Sequence, residues 1–161
     1  MHSKLTNTEL NSILSLGKEN LLKMVPNEQN RHASAYKDIF DNYYQWYRVL
    51  MALSECCTNG KKRAGKFGWG YNLTLYHMAS LWIDQQGRCA ATGVIMSPDT
   101  GSVDDKNPYK ISTDRINNNK GYTKDNVRLL THWANNAKST WPESVFNEFV
   151  MSSSNVLMEA V

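Results

Sequence analysis
The sequence predicts an α+β chain that is mostly helical, with one short antiparallel hairpin packed on a helix. Three observations predict it. Apolar side chains recur at three- and four-residue intervals through the first half of the chain, the spacing of a buried helix face. Two β-compatible runs, Tyr109 to Thr113 and Val127 to Thr131, bracket the turn-rich Asn117-Asn118-Asn119-Lys120-Gly121 and read as an antiparallel pair. Directly after the second run, Trp133, Ala134, Ala137 and Lys138 suit a short helix.

Asn7 or Thr8 can cap a first helix reaching to about Met24, with Leu10, Ile13, Leu14, Leu21 and Leu22 on its apolar face and Pro26 marking its end. A second, longer helix is expected from about Ser34 to about Cys57. Its Tyr36, Ile39, Phe40, Tyr43, Tyr47, Leu50 and Met51 share a face that reads as core rather than as a platform for nucleobases. Asn59-Gly60 is expected to break that helix, and Gly65, Gly68 and Gly70 to make the next segment a flexible connection. A third helix should begin near Thr74, stop at Gly87 and bury Leu75, Met78, Leu81 and Trp82. Thr92-Gly93 and Pro98-Asp99-Thr100-Gly101 are turn chemistry, and Cys89 between them and the helix reads as a small buried residue. Pro142 suits the first turn of a last helix whose Val145, Phe146, Phe149 and Val150 face inward. Beyond Met151, Ser152-Ser153-Ser154 reads as a frayed tail.

With 161 residues the chain supports one domain, or a small module with a helical extension. A hydrophobic content of 41%, with five Trp, eight Tyr and four Phe, suffices for a packed core and argues against wholesale disorder. No apolar run approaches bilayer length and the amino terminus lacks a secretory apolar stretch, so a soluble, cytoplasmic protein is expected. Three cysteines, two of them adjacent at Cys56-Cys57, suit a reducing compartment, and without paired C-x-x-C motifs no structural zinc is expected.

The net charge of +3 is modest, but it is segregated. Residues 1–59 carry six basic and six acidic side chains. Over residues 60–98, Lys61, Lys62, Arg63, Lys66 and Arg88 stand against Asp84 alone. From Lys106 to Lys138 seven cationic residues stand against Asp114 and Asp125. The compensating acids lie mostly at Asp99, Asp104 and Asp105 and at Glu143, Glu148 and Glu159. Such segregation is what a phosphate-facing surface requires, because Lys and Arg gain affinity by displacing condensed counterions.

The chemistry concentrates in residues 111–138. Asp114 ends a strand, Asn126 begins the next, and Asn135 projects from the helix after it back toward the hairpin mouth. A hard cation such as Mg²⁺ takes oxygen ligands and keeps several waters, so one carboxylate and one amide oxygen are a sufficient protein contribution. The plainer reading is that Asp114, Asn117 and Asn126 merely cap and close a hairpin.

An ordered set of pieces runs through the second half of the chain. They are Arg63-Ala64, Leu73-Thr74, Leu81-Trp82, Gln85 to Gly93 (QQGRCAATG), Ser112 to Tyr122 (STDRINNNKGY), Asp125-Asn126-Val127 and Asn135 to Lys138 (NNAK). Together they resemble the phage-associated branch of the HNH endonuclease superfamily, built on a ββα-metal module, from about Lys61 to about Phe149. The resemblance implies an N-terminal helical extension (residues 1–59), an HNH-like nuclease domain (60–151) and a flexible tail (152–161). It implies a metal-dependent endonuclease that hydrolyses phosphodiester bonds of double-stranded DNA with Mg²⁺, or Mn²⁺ in its place. Asp114 would be the first metal ligand, Asn126 the brace of the hairpin loop and Asn135 the second ligand. Lys61, Lys62, Arg63, Lys120, Lys124, Arg128 and Lys138 would position the nucleic-acid backbone.

One position departs from the pattern. Arg115 stands where many relatives carry the general-base histidine, and a guanidinium stays protonated, so it cannot be that base. It can neutralise charge on the scissile phosphate. The base is then a metal-bound water, or His132, which shares a helix face with Asn135, or His77 on the third helix. Alternatively, the chain binds DNA without cutting it, as a regulator or accessory subunit. His2 and His32 fall outside the resembling region.

Overall fold
Helices dominate the computed structural model, which describes residues 4–27, 33–99, 101 and 106–159. The chain order is α1 (Asn7–Leu14), α2 (Lys18–Lys23), α3 (Ala33–Asn42), α4 (Tyr44–Phe67), α5 (Leu75–Asp84), β1 (Ile111–Arg115), β2 (Val127–Thr131), α6 (His132–Lys138) and α7 (Glu143–Glu159). His2, His32, Thr100, Asp104, Asp105, Ala160 and Val161 lie outside the described residues.

Local signals set the starts of three helices. Thr6, one residue before the expected cap, forms a capping box with Glu9: the Glu9 N–H donates to Thr6 Oγ1 at 3.1 Å and the Thr6 N–H to Glu9 Oε2 at 2.8 Å. The first helix does not reach Met24. It ends at Leu14, and Gly17, at φ +80°, starts α2. Thr74 caps α5 by accepting from the His77 N–H at 3.1 Å.

The expected break at Asn59-Gly60 is absent, and α4 runs through it to Phe67. Gly60 is buried within the helix, and a Cβ there would lie in ordinary van der Waals contact with the Tyr71 and Tyr122 rings at 3.5 Å. The helix stops where Gly68 takes the left-handed conformation, with φ +68°. Residues 59 and 60 are therefore interior positions of one helix. The aromatic stripe also divides: Ile39 and Leu50 are buried, whereas Phe40, Tyr43, Tyr44 and Met51 are exposed.

One apolar cluster joins the two halves of the chain. Leu5, Leu10, Ile13 and Leu21 from the N-terminal helices pack with Trp46, Val49, Leu50 and Leu53 of α4, Leu75, Met78 and Trp82 of α5, and Ile111, Leu129, Leu130 and Ala134 of the ββα unit. The Trp46 and Trp82 rings lie 5.6 Å apart at its centre. Cys56 and Cys57 belong to it, and burial pushes the Cys56 thiol up to about 11, which leaves it unreactive.

The strands pair antiparallel, with Ile111 opposite Thr131, Asp114 opposite Arg128 and Arg115 opposite Val127. The Gln85 side chain continues the pattern beside β2, its Nε2 donating to Leu129 O at 2.9 Å and its Oε1 accepting from Leu129 N at 3.0 Å. The loop between the strands folds onto the chain after α4: Tyr122 N donates to Gly70 O at 2.9 Å and Asn72 N to Tyr122 O at 3.2 Å. Past Met151, where a frayed tail was expected, α7 continues to Glu159, since neither Gly nor Pro interrupts it. No helix among the described residues is long and apolar enough to cross a membrane.

A Cβ on Gly121 would fall on the Gly70 backbone, whereas one on Gly65, in mid-helix, meets nothing within 4 Å. Gly121→Ala is expected to destabilise the fold by about 2–3 kcal/mol and Gly65→Ala to stabilise it by about 0.5–1 kcal/mol, both read from urea unfolding midpoints.

Candidate functional site
Strand alternation turns Ser112 and Asp114 toward α6 and places Arg115 on the opposite side. Asp114 is 3% exposed. Its Oδ1 accepts from Lys138 Nζ at 2.9 Å and its Oδ2 from Arg128 Nε at 3.0 Å. The remaining guanidinium nitrogens of Arg128 grip Glu143 in a fork, Nη1 to Oε1 at 2.6 Å and Nη2 to Oε2 at 2.7 Å. Lys138, whose side chain is wholly buried, also donates to Arg115 O at 2.6 Å. The line Glu143, Arg128, Asp114, Lys138 thus ties α7, β2, β1 and α6 together.

Asn126 lies inside the loop. Its Oδ1 accepts from Asn117 N at 2.9 Å, and its Nδ2 donates to Asn117 O at 3.0 Å and Gly121 O at 2.9 Å. Arg115 closes the same loop from outside. Nη1 donates to Asn118 O and Lys120 O, both at 2.9 Å, while the guanidinium carbon sits 3.7 Å from the Trp69 ring centroid and 5.4 Å from that of Tyr122. Asn135 lies over β1, its Nδ2 donating to Ser112 Oγ at 2.7 Å and Thr113 O at 3.2 Å.

These placements correct several expectations. Arg115 acts as a loop clamp stacked on an indole, with two carbonyls on its Nη1 and the Trp69 face against its guanidinium. Arg128 and Lys138 are consumed by carboxylates inside the fold, so neither forms part of a surface for nucleic acid. Asp114 and Asn135 stand on neighbouring parts of β1 and α6, and their oxygens are chemically suited to a hard cation. Their arrangement does not fit one, because both Asp114 oxygens already bind cationic groups and a divalent ion would be set beside two like charges. Among the described residues no three His, Cys, Asp or Glu side chains converge as a metal site.

A second constellation lies along β1. Glu55, Asn59 and Arg63 of α4, Lys106 and Lys110 before β1, Ser112 and Thr113 of β1, and His132 of α6 line a cleft of about 250 Å³. Lys110 Nζ is 3.1 Å from Glu55 Oε1. Burial, then Lys106, Lys110 and Arg63, holds the His132 pKa below the ordinary 6.5, so the imidazole is neutral at pH 7. His132 Nε2 lies 3.2 Å from Asn136 Nδ2; with that amide donating, Nε2 is the bare ring nitrogen. Ser112 Oγ joins the cleft to Asn135. His77 is not among the cleft residues; its Nε2 is enclosed without a hydrogen-bond partner, and burial followed by Lys124 holds its pKa below 6.5.

Of the cations expected to meet a backbone, Lys61, Lys62, Arg63, Lys120 and Lys124 are exposed. Lys106, Lys110 and Glu55 were not singled out from sequence. The first two belong to the basic cluster that was, but only the fold sets them against Arg63, more than forty positions earlier in the chain.

In fold, the chain is similar to the rare-cutting HNH restriction endonuclease PacI, with a TM-score of 0.50, 20% sequence identity, and 65% of this chain and 78% of that chain covered. At that identity the likeness is one of architecture: a mostly helical chain whose antiparallel hairpin and adjoining helix form an HNH-like ββα module. No protein-family model and no curated protein matches the sequence.

Lys138→Met leaves buried Asp114 with Arg128 as its remaining cationic partner and Arg115 O without its donor, and is expected to cost about 2–3 kcal/mol. Combining it with Asp114→Leu should recover more than half of that loss, since no charge is then stranded and Arg128 keeps Glu143. Urea unfolding of the two variants and the wild type measures both effects.

Proposed function
We propose that the chain is an HNH-type endonuclease that hydrolyses phosphodiester bonds of double-stranded DNA in the cleft along β1. One observation carries the reading: an imidazole held neutral in a cleft of cations, against the hairpin of an HNH-like module. Arg63 and Lys106 hold the phosphate and stabilise the charge that builds on its oxygens during attack, and Lys110 joins them by exchanging Glu55 for a phosphate oxygen. His132 Nε2 takes the proton from the attacking water, which enters in place of the Asn136 amide, while the bond from phosphorus to the departing sugar oxygen breaks and that oxygen takes a proton from solvent. Asn126 and Arg115 keep the loop rigid, and exposed Lys61, Lys62, Lys120 and Lys124 position the flanking backbone. The likeness in fold to a restriction endonuclease supports the reaction class.

Asp114 cannot ligate an ion while Lys138 and Arg128 hold its oxygens, so no step is assigned to a metal. Cutting that requires Mg²⁺ or Mn²⁺ and stops in EDTA would mean that Asp114 exchanges one of these partners for the ion. A second reading, a DNA-binding protein that does not cut, draws on Asp114 being neutralised and Arg115 being stapled to the loop.

A plasmid-nicking assay in Mg²⁺, Mn²⁺ and EDTA separates the two. The wild type is expected to nick, and His132→Ala to slow nicking by about 100-fold or more. Salt-sensitive binding with no nicking in any buffer would leave the non-catalytic reading. The base is active when deprotonated, so the rate should rise with pH, with its acidic midpoint under 6.5 because burial, and then the surrounding cations, disfavour the imidazolium. Lys106→Ala removes one of them and should shift that midpoint upward, as read from a pH–rate profile.

A further inference from the structure
The far end of α4 holds an aromatic ring in solvent. Phe67 is 55% exposed, yet it is fixed in place: its ring stacks on Trp69 at 4.7 Å and 25°. Trp69 in turn carries the Arg115 guanidinium at 3.7 Å, and Asn118 O and Lys120 O hold that guanidinium. The left-handed turn at Gly68 brings the two rings face to face. Lys66 Nζ lies 5.3 Å from the Phe67 centroid.

The surroundings are cationic. Arg63, which lines the cleft, precedes Phe67 by four residues on the same face of α4, so the ring stands about 6 Å further along the helix axis. Lys62 and Lys66 occupy the adjoining face one turn apart, and Lys120 lies in the loop that Arg115 clamps. A rigid exposed ring among cations suits a ligand that alternates flat π-faces with negative charges. A membrane surface would call for a broad apolar face, and the other aromatic of this stack, Trp69, is partly buried against the core.

We propose that Phe67 is a base-stacking residue. A DNA strand held in the cleft continues along α4, one of its bases turns out of the duplex and stacks on the ring, and the Lys66 ammonium moves to the adjoining phosphate. The inference rests on the endonuclease reading and states where the substrate leads once it passes Arg63.

Fluorescence anisotropy of the full chain on a DNA duplex across a salt series tests it, with 2-aminopurine scanned through the duplex. Phe67→Ala should weaken binding about tenfold or more while leaving the slope of log K against log salt unchanged, because no phosphate contact is lost. Phe67→Trp should retain affinity, and Lys66→Ala should reduce the slope by about one. A position-specific change in 2-aminopurine emission should disappear in Phe67→Ala. Wild-type affinity in Phe67→Ala or in Phe67→Leu overturns the proposal and leaves the endonuclease reading standing. So does binding to phosphatidylserine vesicles that depends on Phe67 while DNA binding does not. Absence of DNA binding by the wild type overturns both.

Discussion
The contact between Asp114 and Lys138 is the constraint on which the ββα unit depends. A two-stranded hairpin is marginal alone, and a helix of seven residues is too short to persist without tertiary support. Apolar burial holds one side of this unit through Leu129, Leu130 and Ala134. The other side is held by charge. A carboxylate and an ammonium withdrawn from water are costly unless paired and further hydrogen-bonded, and here each has a second partner, Arg128 for Asp114 and Arg115 O for Lys138. The pair therefore fixes orientation more than it adds stability: α6 can approach β1 only in the register that lets Lys138 reach both acceptors.

Orientation of α6 decides where the chemistry lies. With Lys138 anchored at one end, the other end presents His132 beside Lys106 and Lys110, and Asn135 settles on Ser112 and Thr113. The residues that build the module and those that face the cleft are thus different sets on the same short helix. Asp114, Arg128 and Lys138 serve as framework; His132, with Arg63 from a distant helix, lines the cleft.

Legibility in the sequence depends on whether a residue's role is local. The hairpin, its Asn-rich loop and the helix after it were legible because turn chemistry and strand pattern act over a few residues. The Thr74 cap was legible for the same reason. Asn126 closes a loop whose two ends lie within ten positions of it. The partners of Arg115, the Trp69 face and loop carbonyls, were not legible because they depend on a tertiary approach that no spacing encodes. Lys138 was misread because a lysine at a helix end is ordinarily solvated, and only the carboxylate opposite explains its burial. Gly60 looked like a breaker, but α4 runs through it because its neighbours on the helix are packed into the core, which no local spacing announces.

The side-chain amide of Gln85 has a wider consequence. By meeting both backbone groups of Leu129, it imitates a neighbouring strand for one residue and leaves the outer margin of β2 without open hydrogen-bonding groups at that point. Ala90 N takes the second lone pair of the same carbonyl, at 3.1 Å. A ribbon of two strands is otherwise a template onto which a foreign chain can add. Blocked there, β2 offers an added strand no backbone partner at Leu129.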